Sequence, residues 1–148
     1  MRIWNKISVG LCAAVIALSS TVLQADTPKS GGTLIMSLGA TPRHLNPAVQ
    51  SGITTGAPGA QLFATLLRFD DKWNPHPYLA KSWQVSDDSL TVTFNLVEGA
   101  TFHDGTPITS KDVAFSIKTI KANHPFKTMF AAVNAVETPD ANTAVFKL

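Results

Sequence analysis

Apolar and polar positions change period several times along the chain, and each change marks a predicted element. "GGTLIMSLGA", Gly31 to Ala40, is a continuous apolar run behind a glycine pair, which predicts a strand buried on both faces. "TPRHLNPAVQSGITTGAPG" then places three prolines and three glycines in nineteen residues without any period, so a long loop is expected. From Ala60 to Leu67, the residues Leu62, Phe63, Leu66 and Leu67 recur at helical spacing and predict a short amphipathic helix. "RFDDKWNPHP" follows as a short strand and turn, punctuated by Asp70-Asp71 and Asn74-Pro75.

The period-2 signal is sharpest where Leu90, Val92, Phe94 and Leu96 alternate with Thr91, Thr93 and Asn95. With a short strand from Trp83 to Val85 and a turn at Asp87-Asp88-Ser89, this predicts an antiparallel hairpin with one buried and one wet face. Each of the four apolar side chains contributes roughly 1.5 to 3 kcal/mol if fully buried. "TPITSKDVAFSIKTIKA" predicts a helix in which Thr109 is the N-cap and Asp112 closes a capping box. Its buried side is read as Val113, Phe115, Ile117 and Ile120, with Lys118 and Lys121 near the C-terminal end where cations are favoured. After a break at Pro125, two strands are expected, Val133 to Glu137 and Thr143 to Leu148, around a turn from Pro139 to Asn142. The chain then stops in mid-strand, which leads us to expect the front part of a longer protein.

Composition changes this picture mainly at the N-terminus. Among 148 residues, 45% are hydrophobic and 15% charged, enough apolar material to bury a core. Residues 1–25 are expected to be a secretory signal peptide: Arg2 and Lys6 open it, an apolar stretch follows, and "LQA" precedes Asp26. That stretch is shorter than the ~20 residues a membrane span needs. The single cysteine, Cys12, lies inside it, preceded by Leu11 rather than by a lipoprotein-type run of small residues. The remainder is expected to have neither disulfide nor thiolate metal site. Setting those residues aside removes two of twelve basic residues and none of ten acidic ones, so the remainder is neutral. It has no basic stripe for nucleic acid or an anionic membrane.

The pair His103-Asp104 is the one place where general-base or metal chemistry could be sought. Adjacent residues on an extended segment point to opposite faces, and no HExxH helix supplies further ligands. "FHDGTP" therefore reads as a tight turn, with Asp104 bonding the turn backbone and Gly105 free to take positive φ. His44, His76 and His124 are scattered among Pro-rich loops and read as solvated or turn histidines. Ser37, Ser82, Ser86 and Ser116 lack a nucleophile elbow, and "GITTGAPG" lacks the lysine of a phosphate loop. No metal and no cofactor is expected. Trp73 and Tyr78 are read as core or turn-covering aromatics, with stacking on a sugar or peptide as the alternative.

The ordered set Leu79-Ala80, Ser82-Trp83, Phe94, Leu96, Gly99, Phe102-His103-Asp104-Gly105, Pro107 and Asp112-Val113, behind "GGTL" and "LNPA", resembles the bacterial solute-binding proteins of family 5. Val97 stands where that family commonly has arginine, and Ser89 where its turn commonly has glycine, so Ser89 must avoid positive φ or tolerate it. The resemblance implies an α/β, periplasmic-binding-protein-like (class II) fold of two lobes with a small α+β domain inserted in the first. Only the N-terminal part would be present: residues 26–60 would begin the first lobe and 61–148 would form the inserted domain, incomplete. It further implies a periplasmic receptor, not an enzyme, that passes a small solute (oligopeptide, sugar or metal chelate) to the permease subunits of an ABC importer in the inner membrane. The alternatives are a periplasmic hydrolase using His103 and Asp104, or an interaction module on the same fold. Leu79, Ser82, Trp83, Phe94, Phe102, His103, Asp104, Gly105 and Asp112 would be structural. Ligand contacts would fall in "LGATPRHLNPAV", at Arg43, His44, Leu45 and Asn46, because ligands of open α/β sheets sit outside strand ends. The competing reading of this loop is a packed connection with Leu45 and Pro47 tucked in.

Overall fold

The structure, a computed structural model, describes residues 30–148. The expected signal peptide and Cys12 lie outside the described residues. The chain divides into two units, Met1–Ile35 and Met36–Leu148, and each is considered by itself. The strand expected over Gly31 to Ala40 is not formed. Residues 30–38 carry no regular secondary structure, Gly31 and Gly32 have φ of 85° and 98°, and Leu34 and Ile35 are more than four-fifths exposed. A strand holds its shape through hydrogen bonds to a neighbour, and among the described residues none pairs with this run.

Helix α1 spans Ile53–Leu62, so much of the expected loop is helical and the helix predicted over Ala60 to Leu67 lies too far along the chain. Gly52, at φ 98°, turns the chain into the helix, and its carbonyl accepts from the Thr55 and Gly56 amides. A Cβ on Gly59 would lie 2.9 Å from Pro47 Cγ, so this glycine permits the helix to close against the 46–49 turn. Past Phe63, tertiary packing overrides the helical spacing. Leu66 and Leu67 pack on the core of the sheet that follows, and Leu67 opens strand β1 (Leu67–Phe69), which pairs antiparallel with β2 (Pro75–Pro77).

The remaining strands, β3 (Ala80–Val85), β4 (Thr91–Leu96), β5 (Ala135–Asp140) and β6 (Thr143–Lys147), form one antiparallel sheet in the order β3-β4-β6-β5. The hairpins β3–β4 and β5–β6 form as predicted, with shifted ends, but the wet face expected on β4 is not found: Thr91, Thr93 and Asn95 are half-buried like Val92 and Phe94. The register slips between Ala80 and Ser82, which makes Lys81 a bulge and returns Ala80 to the face of Trp83 and Phe94. On that face Ala80, Leu96, Ala144 and Phe146 are buried, and the Phe94 and Phe146 rings meet edge to face at 5.1 Å. Leu90, expected to be buried, is 56% exposed because it lies in the turn before β4.

Helix α2 (Ser110–Asn123) lies on β5 and β6. The predicted capping box is present: the Thr109 amide donates to Asp112 Oδ2 at 2.7 Å, and the Thr109 hydroxyl to the same oxygen at 2.9 Å. Val113 is buried and Ile117 packs beside it, whereas Phe115 is exposed. Two residues beyond Val113 is about 200° around a helix, so Phe115 falls opposite the Val113, Ile117 and Ile120 stripe. The chain leaves α2 through a 3-10 turn, Lys127–Phe130, and Lys121 donates to the Val133 carbonyl.

Candidate functional site

The loop expected to meet a ligand is an ordered turn. The Asn46 amide donates to His44 Nδ1 at 2.9 Å, and the Ala48 amide donates to Asn46 Oδ1 at 2.8 Å, so both side chains brace their own backbone. Arg43, His44 and Leu45 are exposed while Asn46 and Pro47 are half-buried. Pro47 therefore fits the packed reading, through its contact with Gly59, and Leu45 does not.

"FHDGTP" is the tight turn that its residues predicted. The Phe102 amide donates to the Thr106 carbonyl at 2.8 Å, the Gly105 amide to the Phe102 carbonyl at 3.0 Å, and Gly105 has φ 86°. Thr101 and Pro107 bridge its base. The Thr106 amide donates to Asp104 Oδ1 at 2.9 Å, and this bond first, then one from the Thr106 hydroxyl, holds the Asp104 carboxyl below its ordinary pKa. A carboxylate stabilised in this way is a weak proton acceptor, the wrong direction for a general base.

The other family-type residues serve the sheet. Trp83 sits opposite Phe94, the Ser82 hydroxyl accepts from Asn95 Nδ2 at 3.2 Å, and the Leu79 carbonyl accepts from the Val97 amide at 2.9 Å. The histidines do not converge. His44 serves its turn, His124 Nδ1 accepts from the Phe126 amide at 3.0 Å, and His76 Nε2 lies 3.2 Å from Asp70 Oδ2. Among the described residues no group of three or more His, Cys, Asp or Glu could hold a metal ion.

Sequence reasoning missed the degree of order at the β1–β2 turn. Asp70 Oδ1 accepts from the Lys72 amide (2.9 Å) and the Asn74 amide (2.8 Å), and Asp70 Oδ2 from Asn74 Nδ2 (2.9 Å), beside His76. The two Asn74 bonds are the main reason its pKa falls to about 2. An aspartate four residues before an asparagine and six before a histidine was the available signal. The turn holds Trp73 at φ 64° and leaves it 81% exposed, 6.2 Å from the Phe69 ring, so of the two expected places, core or turn, Trp73 is not in the core and stands on the turn. Tyr78 is likewise exposed. Arg68, Phe69, Asp70 and His76 line a shallow depression alongside.

These elements coincide with known proteins. The profile described as "Bacterial extracellular solute-binding proteins, family 5 Middle" matches residues 74–148. A putative ABC transporter peptide-binding protein of Brucella ovis is 36% identical over 157 aligned residues, covering all of this chain and 29% of its own. The substrate-binding protein CtaP of Listeria monocytogenes superposes with a TM-score of 0.70 at 35% identity, over 81% of this chain and 25% of that one. The oligopeptide-binding protein AppA of Bacillus subtilis, in complex with a nonapeptide, gives 0.67 at 25% identity over 73% and 22%. The chain belongs to the bacterial extracellular solute-binding proteins of family 5, and its fold is the α/β fold of that family. It spans about three tenths of the length of the curated relative from Brucella ovis.

Proposed function

We propose that this chain is part of a periplasmic receptor of an ABC importer that captures a peptide and delivers it to a membrane permease, without catalysing a reaction. The observation that carries this reading is the 36% identity, along the whole chain, to a relative named as a peptide-binding protein. The weakly basic Asp104, which is committed to its own turn, supports a binding role over hydrolysis at His103 and Asp104. Residues 26–60 would begin the first lobe and 61–148 would form the small inserted domain. The core shared by Leu66, Leu67, the four-stranded sheet and α2 supports that grouping. Arg43, His44, Leu45 and Asn46 would face the solute, and the exposure of the first three supports this. Closure of two lobes would then follow from contacts that the solute makes only in the closed state.

The test is thermal unfolding of the full natural polypeptide with and without short peptides, with the peptides recovered and weighed afterwards. At a peptide concentration 100 times Kd, stabilisation of about 2.7 kcal/mol is expected, with the peptides intact. Cleavage that disappears in His103→Ala and Asp104→Ala variants of unchanged stability would overturn the proposal in favour of a hydrolase. Export through residues 1–25 has its own check: the mature N-terminus recovered from the periplasm should be Asp26.

A further inference from the structure

We draw no further inference here: the strongest candidate, the exposed aromatic pair of Phe69 and Trp73 on the β1–β2 hairpin, with Trp73 held at φ 64° by the turn that Asp70 braces, is an unpartnered apolar surface, and nothing in the structure shows what covers it.

Discussion

Two turns of this molecule share one brace, but the residue at positive φ stands one position after the aspartate in one and three positions after it in the other. In each, an aspartate accepts the amide two residues on, Lys72 to Asp70 and Thr106 to Asp104, and in each a later residue takes positive φ. In the second turn that residue is Gly105, which adopts φ 86° without a Cβ penalty. In the first it is Trp73, the bulkiest side chain available, at φ 64°. Here the extra bonds to Asp70 from Asn74 are what over-determine the turn and hold the strained residue in place. The hairpin turn between β3 and β4 is intermediate: Asp88 accepts from the Leu90 amide at 3.0 Å, and Ser89 takes φ 58°. A side-chain carboxylate can thus fix a turn whose sequence lacks glycine at the position that most wants it.

Substitutions can separate backbone strain from side-chain contacts. The largest effect is expected for Gly105→Ala, a loss of about 1 to 2 kcal/mol in chemical denaturation, because the alanine must enter the left-handed region. At the other turn, Trp73→Gly should be about 1 kcal/mol more stable than Trp73→Ala, since both lose the indole and only one keeps a Cβ at positive φ. Equal stability of those two variants would show that the turn had relaxed to another geometry. Ser89→Gly should gain a smaller amount, roughly 0.5 kcal/mol, because glycine relieves the strain but adds freedom to the unfolded chain.

A pH dependence tests the carboxylate of Asp70 itself. Asp70 titrates at about 2 when folded, below its ordinary value of 3.8. Its contribution is therefore complete above pH ~4 and is lost as pH falls through the folded value. Melting temperatures of the parent and Asp70→Asn should converge between pH 4 and 2. A gap of constant size would show that the Asp70 charge does not matter to the turn.

The aspartates were legible in the sequence as punctuation, because Asp bonds the backbone two residues on wherever the chain reverses. Trp73 was not, since a single aromatic beside prolines looks the same whether it is buried or displayed. The same limit ran through the fold. Thr109 and Asp112 predicted their capping box because all its partners lie within four residues. Leu66 and Leu67 misled, since their helical spacing competed with a core they could reach only by leaving the helix. The segment from Arg43 to Asn46 was legible as a loop, but the bracing of His44 and Asn46 within it was not.

The sequence by itself determined what is local: the turns, the cap of α2, the strand β4 and the family to which this order of residues belongs. Tertiary structure decided which apolar residues found cover. The Lys81 bulge turned Ala80 into the core, and the run from Leu34 to Met36 stayed exposed. The physical reason is that hydrogen bonds of turns and caps close within a few residues, whereas burial requires neighbours distant along the chain, which no local pattern specifies.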